Sequence, residues 1–193
     1  MSRFLLVAFF AIIPAQAKAQ ELFGGYQLMY DTFLRYETSH ATTPLGWTVD
    51  LTRKPTPWFG LVGQASGNYS RLNIANAVKV VDHIHMLLGG ARFGGYTANR
   101  SFVFGQILVG GLHRHQYPTD PNYCCSVLRW GDQWVISAGG GGDVRRSDRL
   151  SIRFAADWLH AFHHDTASLY TIAYPVSTIR GQIGLVFRLR THP

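Results

Sequence analysis

Nine histidines stand out in a chain with only 15% charged residues. His40, His83, His85, His113, His115, His160, His163 and His164 lie within it, and His192 is near its end. Imidazole can ligate a metal, exchange a proton near neutral pH or hydrogen-bond a phosphate. With a turn centred near Ala98, His83 and His113 are expected roughly opposite one another, an arrangement that can hold a divalent metal. His160, His163 and His164 lie beside Asp165 and Ser168, a set that could activate a hydroxyl for acyl transfer. A second group consists of charges: Asp143, Arg145, Arg153 and Asp157, with Arg92 and Arg180 far away in the chain. Such charges either coat a solvated surface or neutralise one another inside a fold. The adjacent Cys124 and Cys125 leave open a vicinal disulfide, two free thiols or an intermolecular bridge.

The elements that must position these residues are read from alternation. Eight runs alternate apolar and polar residues: 22–31, 45–53, 59–69, 83–93, 102–113, 134–145, 150–159 and 178–189. Side chains on a strand change face at every residue. Most runs have the length at which a tilted strand crosses a hydrocarbon layer. Connections 32–44, 70–82, 114–133 and 160–177 are long, whereas 54–58, 94–101 and 146–149 are short. That order predicts short turns at one end of an up-and-down barrel and long loops at the other.

The polar faces carry Gly, Ser, Thr, Gln, Asn, Asp and Arg with almost no Lys. Trp47, Val49 and Leu51 oppose Thr48, Asp50 and Thr52; Ile183, Leu185 and Phe187 oppose Gln182, Gly184 and Arg188. Small, hydrogen-bonding side chains and Arg/Asp pairs suit a narrow, filled lumen. The fold predicted is all-β, an eight-stranded antiparallel transmembrane barrel with the apolar face outward. In the hairpin around the turn at 146–149, charge matching places Asp143 opposite Arg153. Trp134 and Trp158 are expected at one membrane level.

Residues 1–19 have the parts of a cleaved signal peptide: Arg3, the apolar run 4–13, and Ala17-Lys18-Ala19 before the cut. Residues 20–193 form the barrel domain in this reading. Removing Arg3 and Lys18 lowers the formal charge from +7 to about +5. The basic residues are dispersed, so an anionic membrane surface is the expected partner and nucleic acid is not. Gly139–Gly142 lacks the Lys and Ser/Thr of a phosphate-cradling loop.

The Gly-rich strand ending in Gly142-Asp143-Val144, the turn ending in Asp148-Arg149, Ile152-Arg153, Gly110-Gly111, Arg92-Phe93 and the terminal Gly184–Phe187 together resemble the outer membrane protein β-barrel domain family, the OmpA/OmpX-like eight-stranded barrels. The resemblance spans the mature chain. It implies a bacterial outer-membrane location with both termini periplasmic, and passage by periplasmic chaperones and barrel assembly machinery. Members often end on an aromatic residue, but here Phe187 is followed by six more residues. No peptidoglycan-binding domain follows the barrel in the sequence.

These readings converge on a small, monomeric, non-enzymatic barrel without cofactor or resident metal, acting in envelope integrity or surface contact through its long loops. Asp143, Arg153, Asp157, Arg92, Arg145 and Arg180 are expected to form a lumenal charge network. His83, His85, His113, His115, His160, His163 and His164 are expected at an extracellular rim, meeting lipid headgroups or lipopolysaccharide phosphates, or binding metal weakly. The alternatives are a narrow channel or a lipid-A-modifying enzyme, although no His-x-Ser-Asn run of the deacylase barrels is present. A soluble lipocalin-like binder, with its apolar face turned inward, is a third.

Overall fold

The computed structural model describes residues 19–31, 42–74, 78–118, 130–162 and 176–189. They form antiparallel strands β1 (Ala19–Asp31), β2 (Thr42–Thr43), β3 (Leu45–Lys54), β4 (Phe59–Ile74), β5 (Val78–Tyr96), β6 (Phe102–Pro118), β7 (Trp130–Arg145), β8 (Leu150–Phe162) and β9 (Val176–Leu189). β1 pairs with both β2 and β3, each strand from β3 onward pairs with the next, and β9 returns to β1. The sheet is therefore closed.

β2 and β3 act as one stave of the barrel, interrupted at Pro44, which has no N–H for the ladder. Tyr26 pairs with Trp47, but Met29 pairs with Thr43, so the register slips there by one residue. This bulge changes the parity of the stave. Thr43 is buried, as are the even-numbered Thr48, Asp50 and Thr52. Counted by staves the barrel has eight, one for each predicted run.

Paired residues lead once round the barrel from Glu21 through Thr52, Gly90, Ser137 and Thr178 to Asp31, ten residues further along β1. A closed eight-stave sheet with that stagger has strands tilted by about 40° and an interior only wide enough for side chains.

The strands outrun the predicted segments at the long-loop end. The connection expected over 70–82 is mostly ladder, because β4 and β5 stay paired as far as Ile74 and Val78. β6 extends this ribbon, with Val80 opposite Pro118. Backbone pairing needs only a neighbouring strand, so it persists where the alternation of side chains fades. Residues 1–18 of the proposed signal peptide lie outside the described residues, as do His40, Cys124 and Cys125, while its last residue, Ala19, opens β1 opposite Lys54.

The outer wall is apolar. Leu51, Leu87, Ile107, Val109, Phe154, Ile183 and Leu185 are 42–56% exposed, while Glu21, Asp50, Arg92, Asp143, Arg153 and Arg180 are at most 2% exposed. This is the inverse of a protein whose surface meets water. Aromatic residues border the apolar belt at both ends. Trp58, Phe59 and Phe93 cluster near the short turns, with centroids 5.2–6.3 Å apart. Trp47, Tyr69, Trp134 and Phe162 lie toward the other end. Trp134 pairs with Phe162 and Trp158 with Ala138, so the two tryptophans are offset by four residues and do not share a level. Both tryptophans lie far from the turn, but Trp134 stands further from it than Trp158 does.

Candidate functional site

The alternation of β7 and β8 sends Asp143 and Arg153 into the lumen, and the turn at 146–149 makes them direct cross-strand partners. Arg153 grips Asp143 through a bidentate fork, Nε to Oδ1 at 2.7 Å and Nη2 to Oδ2 at 2.8 Å. Its Nη1 also reaches Asp50 Oδ2 at 3.3 Å, and its Nη2 lies 3.7 Å from Glu21 Oε2. Arg92 donates to the same Asp50 oxygen at 2.9 Å, to Thr52 Oγ1 at 3.1 Å and to Gln106 Oε1 at 2.7 Å. Gln106 passes the connection onward, donating Nε2 to Asp157 Oδ1 at 2.9 Å, and Arg180 Nη2 binds Asp157 Oδ2 at 2.8 Å. Lys54 Nζ donates to Glu21 Oε1 at 2.8 Å. Lys54, Arg92, Arg153 and Arg180, with Arg188 Nε 3.5 Å from Glu21 Oε1 at the edge, thus face Glu21, Asp50, Asp143 and Asp157 in one continuous network.

Aromatic faces complete the environment of the cations. Lys54 Nζ is 3.8 Å from the Phe102 centroid. The Arg92 guanidinium lies 4.3 Å from the Phe104 centroid, and that of Arg153 lies 4.9 Å from Phe104 and 5.1 Å from Phe23. The negative face of each ring attracts the desolvated cation above it. Ion pairs, amide bridges and rings therefore plug the half of the lumen nearer the short turns.

Arg145 is the exception to the expected network. It reaches Asp148 and the Ser147 carbonyl in its own turn. β7 ends at Arg145, so its side chain lies at the mouth and not among the buried groups. Glu21, Asp50, Lys54 and Gln106 were missing from the expected set. Asp50 was already assigned to the polar face of its run, whereas Glu21 and Lys54 fall one residue outside the predicted runs at 22 and 53. Phe102 and Phe104 share parity with Gln106, which was the available sign that they point inward.

Nearer the long loops the lumen is mixed: buried Gln27 donates to Asn68, which donates to the Thr43 carbonyl at 3.4 Å, beside an apolar cluster. Met29, Val62, Ile84, Met86, Leu88, Leu108, Val135, Leu159 and Ala161 form one buried cluster. The lumen is thus not polar throughout, as its composition suggested. Above the cluster, Arg114 makes a bidentate pair with buried Asp82 at 3.0 and 2.7 Å. A cavity of about 30 Å³ between Arg114 and the cluster has room for ordered water.

The rim histidines face outward. His83 stands opposite His115 and His85 opposite His113, one register step from the expected pairing of His83 with His113. The turn closes with Thr97 N donating to Ser101 O at 2.8 Å, which centres the hairpin on Asn99 and not Ala98. Tyr69 meets His83 and His85 edge-on, and His113 Nδ1 is 2.7 Å from Asp132 Oδ1. His160 lies apart from these four, between Trp158 and Phe162, with Nδ1 3.2 Å from Ser177 Oγ. His163, His164, Asp165 and Ser168 lie outside the described residues. Among the described residues no three His, Cys, Asp or Glu side chains are arranged to hold a metal ion.

A closed eight-stave sheet with charges within and an apolar, aromatic-bordered wall defines the architecture. The chain has the fold of the small outer-membrane barrels. OprG of Pseudomonas aeruginosa superposes with a TM-score of 0.58 at 10% identity, covering 91% of this chain and 97% of that one. Ail, the attachment invasion locus protein of Yersinia pestis, gives 0.57 at 11% identity over 89% and 99% of the two chains, in a crystal structure with the heparin analogue sucrose octasulfate. Neisserial surface protein A gives 0.56 at 5% identity over 90% and 96%. No family model and no curated protein sequence matches the chain. At these identities the likeness is one of fold.

Proposed function

We propose that the chain is a non-enzymatic barrel of the bacterial outer membrane, with a closed lumen, that acts in envelope integrity or surface contact through the connections at its long-loop end. The filled lumen carries this reading: the ion-pair network and the layer of apolar and small polar side chains above it occupy the interior of a barrel only wide enough for side chains. Within the closed ring each stave is paired on both sides, which supports a monomer. The ends of β1 and β9 share one rim with the three short turns. Delivery by periplasmic chaperones and the barrel assembly machinery would leave that rim periplasmic and the segments around 32–41, 119–129 and 163–175 outside the cell. The fold shared with an attachment protein is consistent with surface contact.

The test is a planar bilayer containing the purified, folded protein. Baseline current at all moderate voltages is the expected outcome. A steady ohmic conductance would instead establish the narrow channel. Location is checked separately by quenching of tryptophan emission with brominated lipids. Trp47, Trp134 and Trp158 are 41–56% exposed on the outer wall, and their emission is expected to be strongly quenched. Unquenched emission would remove the membrane assignment.

A further inference from the structure

The basic residues are scattered along the sequence, but the closed sheet gathers the excess at one rim. Arg53 ends the outward row of β3, and Arg100 lies in the β5–β6 turn. Arg146 and Arg149 lie in the β7–β8 turn, and Arg145 and Arg188 stand near the ends of β7 and β9. Against these six arginines the rim sets one exposed acid, Asp148, which is engaged with Arg145. Arg188 reaches inward to Glu21 at 3.5 Å. Arg100, Arg146 and Arg149 are exposed and have no acidic partner among the described residues. The lumen sets four cations against four acids. At the long-loop end the described strands carry Arg71, Lys79 and Arg114 against Asp31, Asp82 and Asp132. Among the described residues the surplus charge therefore belongs to the short-turn rim.

Local structure fixes the backbone from which these side chains project. In the β7–β8 turn, Arg146 N and Ser147 N each donate to Leu150 O at 3.0 Å. Ser147 Oγ accepts from Arg149 N at 3.3 Å and from Leu150 N at 3.1 Å. Arg188 N donates to Arg149 O at 2.9 Å, which fastens the end of β9 to that turn. In the β5–β6 turn Arg100 has a φ of 58°, in the left-handed region where glycine is the cheaper occupant. An arginine at a position that disfavours any Cβ is explained by its guanidinium.

The arginines lie at the level of the aromatic border. Arg53 is the last outward residue of β3 before the turn to Trp58, where Trp58, Phe59 and Phe93 cluster. Trp58 is 60% exposed. In a membrane barrel such rings mark the boundary between hydrocarbon and headgroups. Guanidiniums beside them meet the phosphates of that leaflet, and a planar fork suits a phosphodiester better than an ammonium does. The cations are spread over β3, two turns and β9, round most of the perimeter. That spacing fits an annulus of lipids better than one acidic peptide, whose charges lie side by side.

We propose that the short-turn rim is a binding surface for anionic phospholipid headgroups in the leaflet that adjoins it. The inference rests on the membrane assignment above and is independent of any role of the long loops. The ligand class is a phosphodiester without a balancing ammonium, because a zwitterionic headgroup carries its own countercharge.

The experiment uses the full mature barrel in two single-tryptophan forms. One keeps Trp58 at the short-turn end and the other keeps Trp134 at the opposite end, with phenylalanine at the remaining tryptophan positions. Each is inserted into vesicles of phosphatidylglycerol and phosphatidylcholine in a fixed ratio, with bromine on one lipid or on the other. Trp58 is expected to be quenched about threefold more effectively by brominated phosphatidylglycerol, the scale of one exposed charge contact. Trp134 is expected to show no such preference. Replacing Arg53, Arg100, Arg146 and Arg149 together by glutamine should make the two lipids equal at Trp58, whereas Arg71→Gln should change nothing there. Salt at about 1 M, where screening acts within about 3 Å, should weaken the preference. Equal quenching by the two lipids at Trp58, the same preference at both tryptophans, or a preference that survives the fourfold replacement would overturn the proposal. Binding of soluble polyglutamate without any lipid preference would assign the rim to a soluble partner and overturn it equally. Heat-modifiable gel migration of each variant checks that the barrel is folded. Failure of the unmodified barrel to insert would overturn both the membrane assignment and the rim surface, whereas insertion without lipid preference would overturn the rim surface alone.

Discussion

Replacing Arg153 by methionine is expected to destabilise the barrel by about 3–5 kcal/mol, the largest single-residue effect in the lumen. The side chain is 1% exposed and faces Asp143, Asp50 and Glu21 at once. Methionine keeps much of the volume between Phe23 and Phe104 but leaves the Asp143 carboxylate without its buried cation. The penalty is that of a stranded charge, not of a cavity. Lysine is expected to recover only part of the loss, because one ammonium cannot reproduce the two-pronged contact with Asp143 while reaching Asp50. Arg145→Met is the control: its partner Asp148 is exposed, so the change should cost less than about 1 kcal/mol.

Denaturant unfolding in detergent, followed by gel migration and tryptophan emission, measures these differences. The sharper test is the cycle of Arg153→Met, Asp143→Asn and the double variant. Neutralising both partners should cost less than the sum of the single changes by about 1–3 kcal/mol. Strict additivity would show that the fork contributes no coupling, and the plug would then be a set of independent contacts.

The second large effect comes from a glycine. Gly110 and Gly90 lie on the inward faces of β6 and β5, with Gly110 opposite Leu88 and Gly90 opposite Leu108. A Cβ at Gly110 would overlap the Leu87 carbonyl oxygen and come within 2.9 Å of Leu88 Cα. Both obstacles are backbone, which cannot turn aside as a side-chain tip could. Gly110→Ala is therefore expected to cost about 3 kcal/mol, at the upper end of overpacking, and Gly110→Val to abolish the folded, heat-modifiable form. Gly111→Ala, one residue away on the outer face, should stay within about 0.5 kcal/mol of the unmodified protein. Similar losses at both positions would mean that general strand propensity and not inward crowding sets the requirement for glycine.

These two sites show how far local pattern carries. The run 45–53 gave strand, face and approximate ends because Trp47, Val49 and Leu51 alternate with Thr48, Asp50 and Thr52, and β3 differs from it only by Lys54. Asp143 and Arg153 could be set opposite each other because a four-residue turn separates their strands, leaving few possible registers. The histidine pairing was off by one register step because the turn at 97–101 has several possible centres and no charge pair across it to choose among them. Glu21 escaped notice because it stands just outside its run, where alternation has too few neighbours to be visible. The apolar cluster from Met29 to Leu159 was hidden for another reason: in β5 and β6 both faces carry hydrophobic residues, so polarity does not tell inside from outside.

The amino-acid sequence by itself determined the strand number, the up-and-down order and the outward direction of the apolar faces, because each depends on neighbours within about ten residues of one another. Only the tertiary structure decided which inward residues share a level. Arg153 meets Asp50 across 103 residues of chain, and Arg92 meets the same carboxylate across 42. Those meetings follow from the ten-residue stagger on closure, which lifts each strand relative to the last. That stagger is a property of the whole ring of registers, and no single segment encodes it.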